Sequence, residues 1–360
     1  MPSRGRRGSG LRRSARAVHT PARAPPGGSG AGLAALPDPC RPRPVTQFSV
    51  GRRALSTPAS PAVTVVVPAY NRAASIRPAL ESVLRQTWRD FELIVVDDGS
   101  TDGTPEAVRA IADPRLRLIA TPRNMGASAA RNLGAAEARA PWVAFQDSDD
   151  EWLPLKLERQ MARLLAPGAG FVAAYCGMMI LDEPHETPER GGRLAPRYFP
   201  EPEEQGLEGD LRLPLLRRSL ISTQTLIARR DVFEAIGGFD VEMPALIDWD
   251  CVLRLAPLGP IAFVDAPLVL QSFSPNSITR DRAKKIAAQR RVLTKHAALF
   301  APHPAIEARH RYVIAGGCRL VGDLTGAREA LARARALDPT NPRYWAMSLA
   351  LAARALTPRR

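Results

Sequence analysis

VTVVVPAYNRAASIRPALESVLRQTWRDFELIVVDDGSTDGT, which spans residues 63–104, contains the pattern from which the fold class follows. Continuous apolar runs at 63–68 and 91–96 are typical of strands that are covered on both faces. Residues 73–86, between the two runs, place apolar side chains at helical spacing. Strand, helix and strand in this order predict an α/β domain with a mainly parallel sheet flanked by helices.

The same alternation continues beyond residue 104. The further predicted elements are helices at 104–112, 127–138 and 249–255 and strands at 116–120, 142–145, 171–181, 222–228 and 261–273. Residues 182–213 are rich in Pro, Glu and Gly and are interpreted as an active-site loop. After residue 281 the pattern is helical throughout. The sequence therefore divides into a basic leader (1–60), an α/β domain (61–280) and a small α-helical extension (281–360).

The leader accounts for most of the formal net charge of +14. Residues 1–60 contain eleven arginines and a single acid, Asp38, which leaves +4 for the other 300 residues. Because the leader has no apolar period, it cannot bury enough surface to offset its ordering entropy, and we expect it to be disordered. A passive or artefactual leader, a targeting segment and a polyanion-binding segment are the alternatives. No nucleic acid is expected as a partner.

The cysteines and the apolar runs exclude two other classes of protein. The cysteines are Cys40, Cys176, Cys251 and Cys318, and they form no CxxC pair. We therefore expect reduced, mostly buried thiols rather than a zinc site. No window reaches the ~20 apolar residues that span a bilayer. The expected location is cytoplasmic, and any association with the inner face of the membrane is expected to be peripheral.

A first polar cluster follows the first two predicted strands. Pro68, Tyr70 and Asn71 end the first strand, and Asp97 and Asp98 end the second. In an open α/β sheet, ligands bind at the carboxyl ends of the strands. An aromatic ring beside a carboxylate suits uracil or a similar base, through stacking and an in-plane hydrogen bond. The alternative is an ordinary Asp-Gly turn.

A second cluster, Asp147, Asp149 and Asp150, follows the strand at 142–145. Three carboxylates within four residues repel one another unless a cation neutralises them. Hard oxygen ligands suit Mg²⁺ or Mn²⁺ bridging a diphosphate. A solvated acidic turn is the alternative.

A third cluster is Asp248-Trp249-Asp250, at the start of a predicted helix. A carboxylate at this place can cap the helix. It can also act as a general base if the fold directs it at a substrate hydroxyl.

Taken together, these segments resemble the family 2 glycosyltransferases. The matching segments are VTVVVPAYNRA (63–73), ESVLRQT (81–87), FELIVVDDGSTDGT (91–104), NMGASAARNLGAA (124–136), WVAFQDSDDEWLPLKLE (142–158) and DVFEAIGGFD with DWD (231–250). The resemblance implies the nucleotide-diphospho-sugar transferase fold called GT-A. It also implies transfer of one sugar from a nucleotide sugar, with a UDP-sugar favoured, to a hydroxyl of a glycan, a lipid-linked glycan or another acceptor.

Carried over residue by residue, the resemblance implies a role for each cluster. The resemblance implies that Pro68, Tyr70 and Asp98 contact the donor. Tyr70 and Asp98 are implied as contacts to its base and ribose, and Asn124 and Arg131 are implied to lie near the donor. Asp147, Asp149 and Asp150 become the acidic motif, with Asp147 on the sugar nucleotide and the other two on the metal. Asp248 falls where such enzymes place the base that deprotonates the acceptor, and inversion is the family expectation.

The chain departs from the family pattern at two places. Ile247 stands where many relatives have an acid, and residues 271–279 lack the Arg or His that relatives often carry before a Ser-x-Thr-like element. No QxxRW sequence of processive synthases is present, which argues for transfer of a single sugar. These departures motivate an alternative, a catalytically weak scaffold that binds sugar nucleotides and acts through its helical tail.

The helical extension carries part of a repeat pattern. Ala327, Leu331, Ala334 and Pro339 have the spacing of the second half of a tetratricopeptide repeat. A helical hairpin that packs on the catalytic domain and a repeat that binds a protein partner are the two interpretations.

Overall fold

The structure is a computed structural model that describes residues 60–181, 196–201, 204–272 and 281–356, with side chains as far as residue 353. The predicted leader therefore lies outside the described residues, except for Ser60. So do Cys40, much of the predicted loop at 182–213, and residues 273–280.

The described strands form one sheet with the order β3-β2-β1-β4-β8-β6-β9-β5, and β7 pairs with β6. The strands are β1 (Val63–Ala69), β2 (Phe91–Asp97), β3 (Leu116–Ala120), β4 (Trp142–Phe145), β5 (Glu151–Trp152), β6 (Ala173–Leu181), β7 (Arg197–Phe199), β8 (Ile227–Arg229) and β9 (Ile261–Ser272). Neighbouring strands from β3 to β4 are parallel. β4 and β6 are both antiparallel to β8, and β6 is parallel to β9.

The parallel half of the sheet follows directly from the apolar runs. Every residue of β1 and β2 is buried, because helices cover both faces. The register pairs Val63 with Phe91 and Val63 with Trp142, so the three strands end at the same edge. The predicted α/β fold with a helical C-terminal region is confirmed.

The second half of the sheet differs from the prediction in detail. The strand expected at 222–228 is a 3₁₀ turn, Thr223–Thr225, followed by the short strand β8. In the segment interpreted as a loop, the described residues include β7 and the start of a helix at Arg212. β7 has only three residues, which is too short for periodicity to reveal.

The helices flank the sheet and then form the extension. They are α1 (Ile76–Leu84), α2 (Thr104–Arg109), α3 (Ala127–Ala136), α4 (Lys156–Leu164), α5 (Arg212–Arg217), α6 (Arg230–Ala235), α7 (Ile247–Leu255), α8 (Arg282–Lys295), α9 (Ala297–Phe300), α10 (Pro304–Leu320), α11 (Leu324–Leu337) and α12 (Pro342–Leu356). Within the described ranges, no helix combines the length and the apolar character needed to cross a membrane.

The extension shares its core with the α/β domain. One apolar cluster joins Phe145 of β4 and Trp249 of α7 to Phe300 of α9 and Leu331 of α11. The hairpin of α10 and α11 places Ala327 and Leu331 in this core. The interpretation of a hairpin packed on the domain therefore agrees with the structure of the described residues.

One lysine is enclosed in the sheet core. Lys156, in the first turn of α4, has no exposed surface, and its Nζ lies 3.8 Å from the centre of the Trp152 ring. Burial lowers the pKa of this amine to about 8. A cation over an indole face is a favourable contact, which offsets part of the cost of burial.

Candidate active site

The polar residues predicted from the sequence gather at the carboxyl edge of the parallel strands. The amide of Asp98 donates to the carbonyl of Ala69 (2.8 Å), and the amide of Gln146 donates to the carbonyl of Val66 (3.0 Å). These bonds hold the ends of β1, β2 and β4 side by side. The loops that leave the three strands therefore share one cleft, as expected for an α/β sheet.

The loop after β1 is fixed by Asn71, which has a positive φ of 53°. Its amide donates to Ser100 Oγ and its side-chain Oδ1 accepts from the amide of Thr101, both at 2.9 Å. Asn tolerates this backbone region better than most residues. The turn leaves Tyr70 43% exposed, while Pro68 stays buried in β1.

Asp98 is buried and organises the loop before α3. Its two carboxylate oxygens accept from the amides of Met125 (2.9 Å) and Gly126 (2.7 Å), and it also contacts the hydroxyl of Thr121 (3.2 Å). Asn124 lies exposed in the same loop. Asp98 is only 2% exposed, and its carboxylate holds the loop that carries Asn124.

Arg131 of α3 and Asp147 form an ion pair at the centre of the cleft. The arginine side chain is 7% exposed and that of Asp147 is 26% exposed. A charge-assisted bond of this kind fixes both side chains. The structure thus brings together two residues that the sequence analysis assigned to the donor.

The acidic turn at residues 147–150 separates its carboxylates into accessible and enclosed ones. Asp149 is 27% exposed at its side chain and lies 3.6 Å from an Arg72 nitrogen. Asp150 is only 2% exposed, and its Oδ1 accepts from the amide of Ser272 (3.0 Å). Of the two predicted metal ligands, Asp149 is therefore the accessible one.

Electrostatics distinguish Asp150 further. Burial raises the pKa of its carboxyl well above the ordinary value, and the charges of Asp147 and Asp149 raise it more. This pattern shows that the three carboxylates are within electrostatic range of one another. A site with this much negative charge favours a cation.

Arg72 was missed by the sequence reasoning. Its Nε donates to Ser148 Oγ (3.3 Å), and its backbone amide donates to Thr104 Oγ1 (2.7 Å). The only signal in the sequence was a basic residue directly after Tyr70 and Asn71. Its partner in the acidic turn, Asp149, lies 77 positions away in the sequence. A local sequence pattern cannot predict such a contact.

Asp248 lies in the first turn of α7 and is half-buried. The helix N-cap is Leu246, at a positive φ of 56°, so the interpretation of Asp248 as the N-cap is wrong. The carboxylate instead accepts from the next amide, that of Trp249, at 2.7 Å. Ile247, which replaces the expected acid, packs against the core.

The pKa of Asp248 links it to the rest of the cleft. Burial raises this pKa to about 6, and the Asp147 carboxylate raises it as well, while the Trp249 amide and Arg131 lower it. Asp248 is therefore within electrostatic range of the Arg131–Asp147 pair. Of the residues predicted to bind the donor, Arg131 and Asp147 are the two that influence the pKa of the predicted base.

The donor set suits a hard divalent cation that also takes oxygens from a ligand. Among the described residues, no group of three or more His, Cys, Asp or Glu side chains is assembled as a metal site. Asp149 and Asp147 nevertheless keep partly exposed side chains, at 27% and 26%. Such ions commonly rely on one or two carboxylates together with the phosphates of the substrate.

The fold is that of the GT-A nucleotide-diphospho-sugar transferases. Staphylococcus aureus TarS, residues 1–349 in complex with UDP-GlcNAc, is 18% identical, with a TM-score of 0.58 over 78% of this chain and 82% of that one. The mannosyltransferase PcManGT of Pyrobaculum calidifontis, in complex with GDP-Man and Mn²⁺, is 23% identical, with a TM-score of 0.53 over 83% and 82%.

The model of glycosyl transferase family 2 matches residues 64–223 of this chain. The succinoglycan biosynthesis protein ExoO of Rhizobium meliloti strain 1021 is 48% identical over 122 residues, which cover 34% of this chain and 35% of ExoO. This chain also covers less than two thirds of the length of several other curated relatives. The family resemblance found in the sequence is confirmed.

Proposed function

We propose that this protein transfers a single sugar from a nucleotide-diphosphate sugar to an acceptor hydroxyl, with inversion at the anomeric carbon and Asp248 as the base. The observation that carries the proposal is Asp248 itself. Its carboxylate has a pKa of about 6 and lies within electrostatic range of Arg131 and Asp147. A general base is most effective when its pKa is close to the working pH.

The donor end of the cleft fits a nucleoside diphosphate. Tyr70, 43% exposed at the strand ends, offers a ring on which a base stacks. Arg131 and Arg72 provide guanidinium groups, which match phosphate oxygens well. A UDP-sugar is the favoured donor, and the two solved relatives were captured with UDP-GlcNAc and GDP-Man.

Asp149, the accessible one of the two predicted ligands, and Asp150 behind it are the residues that would hold Mg²⁺ or Mn²⁺, with Asp147 beside them on the sugar nucleotide. When bound, such an ion neutralises charge on the departing diphosphate. PcManGT was solved with Mn²⁺, which supports the choice of ion. In this chain, Asp149 is paired with Arg72, so the pair has to open for the carboxylate to reach a cation.

The proton step falls to Asp248. As the acceptor oxygen forms its bond to the anomeric carbon, the bond from that carbon to the diphosphate oxygen breaks, and Asp248 takes the hydroxyl proton. Attack from the face opposite the leaving diphosphate inverts the configuration. The acceptor is a hydroxyl of a glycan, a lipid-linked glycan or another molecule, which we place in the cytoplasm or at the inner face of the membrane.

The test is a donor panel. Release of nucleoside diphosphate is measured from UDP-, GDP- and dTDP-sugars with Mn²⁺ and an acceptor mixture. Asp248→Asn keeps the shape and the bond to Trp249, so donor binding should persist while turnover falls ~10²- to 10⁴-fold.

Asp231→Asn is the matched control. Asp231 also lies in the first turn of a helix, α6, and accepts from the next amide at 2.8 Å, but its side chain is 69% exposed. It should keep wild-type turnover. Transfer by Asp248→Asn at the wild-type rate would refute the base assignment. Donor binding without turnover by the wild type would instead favour the scaffold alternative motivated by Ile247.

A further inference from the structure

We infer that the C-terminal helices position the proposed base, through a buried ion cluster centred on Asp250. This inference rests on the proposed function of Asp248. The cluster, here called the Asp250 cluster, consists of Asp250, Arg254, Lys295 and His296. Its last two members belong to the end of α8, in the extension.

Asp250 has no exposed surface, and both of its carboxylate oxygens are engaged. Lys295 Nζ (2.8 Å) and His296 Nε2 (2.9 Å) contact Oδ1, and Arg254 donates to Oδ2 (2.6 Å). Burial alone raises the pKa of this carboxyl, but the contacts with His296, Lys295 and Arg254 outweigh burial and hold the pKa well below the ordinary value. Asp250 is therefore ionised at neutral pH, and its bonds are charge-assisted.

The same cations also hold the loop before α7. Arg254 donates to the carbonyl of Gly238 (2.7 Å), and Lys295 contacts Asp240 (2.8 Å). The end of α8 is therefore bonded both to the first turn of α7 and to the loop that leads into it. The contacts that Lys295 and His296 make bridge 45 to 55 positions of sequence.

Trp249, between the base and Asp250, is fixed from the other side. Its indole nitrogen donates to the carbonyl of Leu215 (2.7 Å). Its ring packs on His310 of α10, with ring centres 5.1 Å apart, and His310 is bonded to the carbonyl of Leu216 (2.7 Å). Both residues that follow Asp248 are thus anchored by groups of the extension.

The start of α7 relies on these anchors because its N-cap residue offers no capping side chain. Its N-cap, Leu246, has no capping side chain and lies in the left-handed region, which is unusual for a bulky residue. A base has to be held within about 0.5 Å of its productive position, and a 1 Å misplacement can cost ~100-fold in rate. Lys295 and His296 are accordingly positioning residues for Asp248.

The test compares variants of α8 in the full chain. Lys295→Met and His296→Leu should each lower kcat, by up to ~100-fold for the double variant, with the Kd for the nucleotide sugar unchanged. His296→Gln, whose amide can still donate to Asp250, should recover most of the rate. Amide hydrogen exchange of residues 248–252 should become faster in the double variant, a readout that does not require turnover.

Arg290→Met is the matched control on the same helix. Arg290 contacts Asp323 (3.4 Å) and Cys318 (3.2 Å), and so joins α8 to α10 and the turn after it. This variant should keep both kcat and the exchange of residues 248–252.

Four outcomes would decide the inference. The inference is overturned if the double variant keeps the kcat and the hydrogen exchange of the wild type. It is also overturned if Arg290→Met loses as much kcat as the double variant, because the extension would then be a general stabiliser only. If the wild type turns over no donor, the proposed function fails, while hydrogen exchange still tests whether the Asp250 cluster holds α7. Faster exchange limited to the Lys295 and His296 variants supports the inference.

Discussion

The acidic turn and the start of α7 each bury a carboxylate, and the two behave in opposite ways. Asp150 and Asp250 are 2% and 0% exposed. Around Asp150 the nearby charges are Asp147 and Asp149, and its pKa rises well above the ordinary value. Around Asp250 the nearby charges are cations of the chain itself, and its pKa falls. Burial raises the pKa of both carboxyls, and the neighbouring charges add to that rise at Asp150 and reverse it at Asp250.

The comparison also separates two roles for negative charge. At the acidic turn the protein leaves charge that an external cation can neutralise, which is expected of a ligand site. At α7 the protein neutralises the charge with its own side chains, which is expected of a structural anchor. Asp248, two residues before Asp250, lies between these extremes, with a pKa of about 6.

Removing the α7 anchor should have the largest effect on stability. Asp250→Asn leaves Arg254 and His296 without a carboxylate partner and Lys295 with Asp240 alone, and we expect the free energy of unfolding to fall by about 3 kcal/mol. Urea denaturation at pH 7 measures it. The pKa of Asp250 is lower in the folded protein than in the unfolded chain, where it is 3.8. Asp250 therefore stabilises the fold at pH values above 3.8, and this stabilisation is lost as the pH falls below 3.8.

The control for that change is Asp210→Asn. Asp210 pairs with Arg212 on the surface, where both side chains are more than half exposed, and such pairs contribute little. Its urea midpoint should equal that of the wild type. Equal midpoints for both variants would mean that the Asp250 cluster is no anchor.

Changes in the acidic turn should affect turnover and spare stability. Asp149→Asn should lower turnover at least ~10- to 100-fold, the usual range for residues that support a metal site. Asp150→Asn keeps an acceptor for the Ser272 amide and removes a carboxyl whose ionised form burial, Asp147 and Asp149 disfavour, so without metal its melting temperature should hold or rise. Wild-type turnover of both variants at saturating Mn²⁺ would remove the metal role.

The pH dependence of turnover should test whether the pKa of Asp248 lies between those of Asp150 and Asp250. Since the base acts when ionised, kcat/KM should fall tenfold per pH unit below a midpoint near 6. Asp147→Asn removes a charge that raises this pKa, so the midpoint should move to lower pH even if the rate is reduced. A pH profile with the same midpoint in both proteins would show that another group titrates.

The smallest effect is expected from residues 1–60. Their sequence has no apolar pattern that forms a core, so a protein that starts near Ser60 should fold and turn over at the wild-type rate. Activity and protease-resistant mass measure this. Loss of both would show that the leader has a structural role.

The sequence predicted the features that depend on local pattern. The apolar runs at 63–68 and 91–96 became β1 and β2 because buried parallel strands need continuous apolar residues. The motif residues Asp147 and Asp248 could be selected because strand ends and helix starts are visible in the pattern.

Features that depend on distant partners could not be predicted. The pairing of Arg72 with Asp149 and the contacts of Asp250 with Lys295 and His296 join residues 45 to 77 positions apart. Asp250 had the same appearance in the sequence as Asp248. Only the packing of α8 on α7 separates an anchor from a candidate base.

The enclosed amine of Lys156 has a practical consequence for chemical labelling. The sequence contains four lysines, and Lys284 and Lys285 lie exposed at the start of α8. The side chain of Lys295 is 31% exposed and forms ion pairs with Asp240 and Asp250. Lys156 has no exposed surface. An amine-reactive reagent should therefore modify the first two quickly, Lys295 when α8 separates from α7, and Lys156 only when the sheet core opens. Mass spectrometry of the unaltered chain would then time two structural transitions separately.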